Sequence, residues 1–211
     1  MRRLPVYLLL DTSGSMRGEP ISAVNVGLQA LVASLRQDPS ALETVHICIL
    51  TFDAEVKVVV PLTPLEQLQL PEITTPESGP TFLGKALETL CSQLDLEIIR
   101  NTVDMKGDWS PLLFVMTDGS PTDIQVFEEQ IHQIKKRQFG NIIGCAAGPK
   151  AKLHFLAMLT DKVFSLDTMD SASFTSFFKW VSEAVSSGSR SQGAVGDVSL
   201  PPPPAEIQLV I

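Results

Sequence analysis

The 211-residue sequence predicts an α/β domain: a doubly wound, three-layer (Rossmann-like) sheet of six strands in the order 3-2-1-4-5-6, with one antiparallel strand at an edge. Three observations predict it. Short apolar runs alternate along the chain with longer segments of helical periodicity, as strands joined by crossover helices do. Residues 5–10 are almost wholly apolar, as a central parallel strand covered on both faces must be. Two such runs end in acidic residues, Leu8-Leu9-Leu10-Asp11 and Leu112-Leu113-Phe114-Val115-Met116-Thr117-Asp118-Gly119. In an open parallel sheet these two ends meet at the switch point on the carboxyl edge.

The elements follow in order. After the first strand, Val24, Leu28, Leu31, Val32 and Leu35 lie on one face of a helix predicted over residues 20–37. Residues 45–52 form the second strand. Asp53-Ala54-Glu55 turns the chain tightly, and 56–60 return as an antiparallel edge strand that Pro61 should stop. Residues 61–80 carry Pro61, Pro64, Pro71, Pro76 and Pro80 and read as a loop across the end of the sheet. Thr81 opens a helix over 82–99, with Leu83, Leu87, Leu90 and Leu94 on one face. A polar connection over 100–110 leads to the fourth strand, 111–117. The pattern closes with a helix over 124–137, a strand over 141–147, a short helix over 151–159, a last strand over 163–166 and a helix over 171–186.

Residues 1–187 are expected to form this domain. Residues 188–211 read as a flexible Gly/Ser/Pro-rich tail: Gly, Ser and Gln dominate up to Gly196, and Pro201–Pro204 are consecutive, a polyproline II stretch. The alternating segment Glu206-Ile207-Gln208-Leu209-Val210-Ile211 could add to a sheet edge. Composition narrows the functional classes. Lys and Arg number 16 against 24 Asp and Glu, for a net charge of −8, so duplex nucleic acid and anionic membranes are poor partners. The one basic run, Lys135-Lys136-Arg137, falls at a predicted helix C-terminus and suits its dipole. Cys48, Cys91 and Cys145 are odd in number and far apart, so reduced, buried thiols are expected rather than a disulfide framework or zinc site. With no signal peptide and no run of membrane-spanning length, a cytoplasmic location is expected.

The chemistry concentrates at the two strand ends. Asp11, Ser13 and Ser15 alternate in the turn leaving the first strand, so an irregular turn can point all three side chains at one spot. Alone, these residues would equally well cap the coming helix. Asp118 closes the neighbouring strand, and Thr81 follows Gly79-Pro80 to open a helix in the long loop. Together the five residues form an all-oxygen donor set, which favours a hard cation such as Mg²⁺, Mn²⁺ or Ca²⁺ over zinc or copper.

Asp11-x-Ser13-x-Ser15, Thr81 and Thr117-Asp118-Gly119 resemble the metal-ion-dependent adhesion site of von Willebrand factor A domains, and the resemblance covers about residues 4–187. It implies that Ser13, Ser15 and Thr81 contact Mg²⁺, that Asp11 and Asp118 often act through water, and that an acidic residue of a protein partner completes the octahedron. Pro80 departs from the family, which often has a second Gly there, and is expected to stiffen the loop. Arg2-Arg3-Leu4-Pro5-Val6-Tyr7, Lys106-Gly107-Asp108-Trp109, Ala146-Ala147-Gly148-Pro149-Lys150 and Phe178-Lys179-Trp180-Val181 are similar to the adhesion-site proteins of bacterial tellurium-resistance clusters, the TerY group. That similarity implies a cytoplasmic, stress-associated protein encoded beside a Ser/Thr protein kinase and a metal-dependent protein phosphatase.

Enzymatic readings fit less well. Gly79-Pro80-Thr81-Phe82-Leu83-Gly84-Lys85-Ala86 nearly spells a phosphate-binding loop, but Ala86 stands where a Mg²⁺-binding hydroxyl is needed and a proline-rich loop precedes it. A phosphoaspartyl hydrolase needs a second Asp two residues after Asp11, and Ser13 is there instead. No Gly-x-Gly-x-x-Gly follows the first strand, which removes a dinucleotide site. His46 lies in the second strand, His132 and His154 are helical with no Cys or Ser nearby in sequence, and all three read as structural or surface residues. Asp123 is expected to serve a helix N-terminus. Trp109 either packs on the sheet or anchors a partner. A non-enzymatic, metal-dependent binding module is the first reading. A Mg²⁺-dependent phosphohydrolase using Asp11 and Asp118, and a kinase substrate or scaffold, stand as alternatives.

Overall fold

The structure is a computed structural model and describes residues 2–149, 151–190, 200–205 and 207–210. Strand β1 (Leu4–Asp11) is buried along its whole length. Its side chains alternate between two cores, Leu4, Val6, Leu8 and Leu10 in one and Tyr7 and Leu9 in the other, as the two-residue period of a strand dictates. Beyond it come α1 (Glu19–Leu35), α2 (Pro39–Thr44), β2 (Val45–Phe52), β3 (Val56–Pro64) and α3 (Leu83–Glu97). The second half contains β4 (Leu112–Thr117), α4 (Ile124–Lys135), β5 (Asn141–Ala147), α5 (Leu153–Leu159), β6 (Val163–Leu166), α6 (Ser171–Arg190) and β7 (Ile207–Leu209).

The sheet order is β3-β2-β1-β4-β5-β6-β7. Strands β2, β1, β4, β5 and β6 run parallel, and β3 pairs antiparallel with β2. Residues of α1 and α6 fill the core on one face, and residues of α3, α4 and α5 fill the other. This is the predicted doubly wound arrangement, with β1 and β4 adjacent at the switch point.

Three expectations are corrected. Helix α2 has no counterpart among the predicted elements; Asp38 caps it by accepting the Ser40 N–H at 3.0 Å, and Pro39 opens its first turn. Pro61 does not stop β3. The strand continues to Pro64 across an irregularity in its register with β2 between Ile47 and Ile49. An edge strand with a bulge tolerates the missing N–H.

The third correction concerns the sheet and the tail. Among the described residues the sheet has seven strands, not six, because Ile207, Gln208 and Leu209 pair antiparallel with Leu166, Ser165 and Phe164. Helix α6 runs past Ser187 to Arg190. Ile207 is buried, Leu200 packs against the core, and the Trp180 indole N–H donates to the Pro201 carbonyl at 2.9 Å. The described part of 188–211 is therefore joined to the domain. The Gly/Ser/Gln-rich portion, 191–199, lies outside the described residues.

At the opposite end of the sheet from the site, Arg3 closes the connection after α3. Its guanidinium donates to Asp108 Oδ1 at 2.8 Å, to Oδ2 at 2.6 Å, and to the Glu97 carbonyl at 2.7 Å. Trp109 is half-buried against the core, its N–H bonded to the Arg3 carbonyl at 2.9 Å and its ring 5.9 Å from the Arg2 guanidinium. Trp109 thus packs on the sheet. The three cysteines are buried and free, and burial raises the thiol pKa values of Cys48 and Cys145. No helix is long and apolar enough to cross a membrane among the described residues.

Candidate metal centre

Strand pairing sets the two strand ends level. Leu10 lies opposite Met116, so the next residues, Asp11 and Thr117, meet across the switch point. The Thr117 hydroxyl donates to Asp11 Oδ2 at 2.6 Å, and the Ser13 N–H donates to Asp11 Oδ1 at 2.8 Å. Asp11 is 1% exposed and both its oxygens are held. Ser13 then breaks from the strand with φ −58° and ψ 165° and caps a 3-10 turn, Gly14–Met16. That turn brings Ser15 Oγ to 3.1 Å from Ser13 Oγ, and Ser15 Oγ donates to Asp118 Oδ1 at 2.9 Å. Ser13, Ser15 and Asp118 are thereby joined side chain to side chain, and Asp11 is tied to them through the Ser13 N–H, so the ends of β1 and β4 meet in one hydrogen-bonded cluster.

Thr81 reaches the same place from the long loop. A Cβ at Gly119 would stand 3.7 Å from Thr81 Oγ1, so that hydroxyl faces the Asp118-Gly119 corner. Gly14 must be Gly for the loop to lie this close, since a Cβ there would come within 2.9 Å of Ser78 Cα. The structure therefore collects all five predicted residues, Asp11, Ser13, Ser15, Thr81 and Asp118, at the carboxyl edge of the sheet. Ser15 is exposed while the other four are buried, which leaves the cluster open on the Ser15 side.

Three further residues shape the site. Asp53, in the turn after β2, accepts the Thr12 hydroxyl on Oδ2 at 2.8 Å, while its carbonyl accepts the Phe82 N–H at 3.1 Å. It thus ties the turn after β1 to the Thr81 loop. Its signal was the same as that of Asp11, an Asp at the end of an apolar strand. The Thr122 N–H and hydroxyl both donate to the Thr81 carbonyl, at 2.9 and 3.2 Å. The Asp123 carboxylate accepts the Gly84 and Lys85 N–H groups at 3.1 and 2.8 Å. Asp123 serves a helix N-terminus as expected, but that of α3 rather than of α4, which it precedes in the chain.

Electrostatically, the cluster favours a nearby positive charge. Burial is the main cause that raises the Asp11 pKa from 3.8 to about 6. The Thr117 and Ser13 hydrogen bonds oppose the rise, and the Asp118 charge adds to it. A carboxylate so desolvated beside a second one has reason to accept positive charge. Among the described residues no group of three or more His, Cys, Asp or Glu could hold a metal, so a cation here would rely on hydroxyls. The donor chemistry fits one. The oxygens are hard, and among the described residues no hydrogen bond engages the Thr81 hydroxyl that faces the corner. His46, by contrast, sits at the start of β2 with its Nδ1 3.1 Å from the Thr44 carbonyl, at the other end of the sheet.

A sequence profile of the von Willebrand factor type A domain matches residues 6–179. The chain belongs to that family. Among solved structures, the type A fold of this chain is similar to proximal thread matrix protein 1 from the mussel byssus (13% identity, TM-score 0.64, 86% of this chain and 48% of the other). It is also similar to the pilus adhesin SpaC of Lactobacillus rhamnosus GG (10%, TM-score 0.70, 89% and 31%). The ArnB paralogue VWA2 of Sulfolobus acidocaldarius is a third (15%, TM-score 0.57, 87% and 45%). At such identities the likeness is one of fold, and the chain spans about half or less of each of these three proteins. Another form of the mussel protein was solved with a zinc-occupied MIDAS motif, the metal-ion-dependent adhesion site (14%, TM-score 0.60, 86% and 46%). No curated protein sequence matches the chain.

Proposed function

We propose that this type A domain is a non-enzymatic, divalent-metal-dependent module that captures an acidic residue of a protein partner. The observation that carries the reading is the bridged oxygen cluster, in which Ser15 Oγ hydrogen-bonds Asp118 while the Asp11 oxygens are fixed by Thr117 and Ser13. Ser13, Ser15 and Thr81 would hold the cation, and Asp11 and Asp118 would balance its charge from behind. When bound, the cation supplies an electrophilic point for a carboxylate. Neutral hydroxyls leave much of its charge uncompensated, so an incoming carboxylate is strongly attracted. Mg²⁺ is the proposed ion, with Mn²⁺ or Ca²⁺ also suited to oxygen ligands; the zinc in the mussel relative supports a site of this family accepting a divalent ion.

Absence of turnover is supported by the donor set. A phosphohydrolase would need a proton donor two residues after Asp11, and Ser13 there has its hydroxyl 3.1 Å from that of Ser15. The resemblance of the four flanking segments to the TerY group supports a bacterial, cytoplasmic setting in tellurite-resistance or stress phospho-signalling, with a Ser/Thr kinase and a metal-dependent phosphatase as partners.

The test is capture on the immobilised chain. An acidic protein should be retained from native lysate in Mg²⁺, be released by a chelator, and be lost with Asp118→Ala. Retention that ignores the chelator would contradict the reading. Metal-dependent hydrolysis of a phosphate ester, abolished by Asp11→Asn, would replace it with the phosphohydrolase.

A further inference from the structure

We propose that Asp123 is a positioning residue that sets the metal affinity and selectivity of the site by holding the Thr81 loop against the Asp118 loop. The proposal rests on reading the site as a metal centre. Helix α3 begins without a cap of its own, since its N-cap residue is Phe82, whose side chain can accept nothing. Its first N–H groups must find acceptors elsewhere. Asp123 provides them from a different loop, with one carboxylate oxygen on Gly84 N and the other on Lys85 N. A carboxylate suits this position, because a helix N-terminus attracts negative charge.

The approach is too tight to be incidental. A Cβ on Gly84 would stand 2.4 Å from Phe127 N and 2.8 Å from Asp123 Oδ2. Asp123 meanwhile makes no side-chain cap on its own helix. Next to it, Thr122 donates twice to the Thr81 carbonyl. The segment that carries Thr81 is therefore fastened to the loop that carries Asp118 at both Thr81 and Gly84-Lys85. Of the three hydroxyl donors, Ser13 and Ser15 belong to the turn fixed on β1, whereas Thr81 arrives on a separate loop. Its distance from the others depends on this fastening.

Selectivity should follow from stiffness. Mg²⁺ demands near-octahedral ligands at about 2.0–2.1 Å, whereas Ca²⁺ accepts irregular ones at about 2.3–2.6 Å. A loosened Thr81 loop penalises the small ion more.

The experiment measures Mg²⁺ and Ca²⁺ affinities of the whole chain by isothermal titration, with amide hydrogen exchange on the metal-free protein. Asp123→Asn keeps the shape, but its amide can accept from only one of the two N–H groups. We expect its Mg²⁺ affinity to fall on the order of tenfold and its Ca²⁺ affinity by less than about threefold. The Gly84 and Lys85 amides should exchange faster. Thr122→Val removes one bond to the Thr81 carbonyl and should shift the ion ratio in the same direction by less; it carries the test if Asp123→Asn does not fold. Asp38→Ala, which uncaps α2 at the far end of the sheet, should lower stability and leave both affinities unchanged. An unaltered Mg²⁺ to Ca²⁺ ratio in both site-loop variants would overturn the proposal while leaving the metal site standing. A wild-type chain that binds neither ion would overturn the metal reading as well.

Discussion

Asp11→Asn should make the metal-free chain more stable at pH 7, by up to about 3 kcal/mol, and should flatten its stability between pH 4 and 6. The expectation follows from a folded-state pKa raised to about 6 from 3.8, chiefly by burial. Between those values the folded state binds the proton that the unfolded state has released. The contribution of Asp11 to stability must then fall as pH rises through the window, and its full penalty stays in place above pH 6. An uncharged Asn has no such penalty, although its amide can accept only one of the two bonds now made by Thr117 and Ser13, so the net gain will be smaller than the ceiling. Mg²⁺ should reverse the order. It stabilises wild type by binding the native state alone and leaves the variant unchanged. Denaturant unfolding of both proteins at pH 4, 5, 6 and 7, with and without Mg²⁺, checks all of this; a metal-free wild type that does not lose stability relative to the variant as pH rises from 4 to 6 would contradict it.

Removal of residues 191–211 should lower the melting temperature by about 10 °C. The deletion uncovers the edge of β6, exposes the surface that Ile207 and Leu200 cover, and takes the Pro201 acceptor from the Trp180 indole. Burying one Ile is worth about 1.5–3 kcal/mol, and an indole that loses its partner adds about 1 kcal/mol. Each kcal/mol shifts the midpoint of a domain this size by about 2–4 °C. Thermal unfolding followed by circular dichroism measures the difference. An unchanged midpoint would show that 200–210 contributes nothing to the core, as composition alone suggests.

Composition misleads there for a physical reason. The alternation over 206–211 marks a strand that could join a sheet edge, as Ile207–Leu209 do, but three paired residues are too few to show which edge; the partner is β6, some forty residues earlier in the chain. The long apolar runs were different. Strands β2 and β5 have the bounds that the sequence predicts, because a strand covered on both faces is mostly apolar and its ends coincide with a turn or a polar connection. Pro61 failed as a stop signal because its effect depends on what lies beside it, and an irregular edge pairing removes the need for its N–H. Helix α2 was within reach of the local signals, with Asp38 as cap and Pro39 in the first turn, but it is too short for apolar periodicity to show.

The site was legible to the extent that it is local or lies on paired strand ends. Asp11, Ser13 and Ser15 sit within five residues, and the placement of Asp118 follows from the strand order. Asp53 and Asp123 act across the fold, on Thr12 and on the first turn of α3. Nothing in their own neighbourhoods names those targets. A carboxylate before a helix is ordinarily read as that helix's cap, and only the packing of α3 beside α4 reveals which N–H groups it accepts.

The proposed cation site joins five side chains from three segments of the chain. Its most direct test is isothermal titration of Mg²⁺ into the metal-free chain and into Asp118→Ala. One saturable site in the wild type and none in the variant is the predicted result, with the variant folded by circular dichroism. Equal Mg²⁺ binding by both proteins, or none by either, would mean that these five residues do not form a Mg²⁺ site.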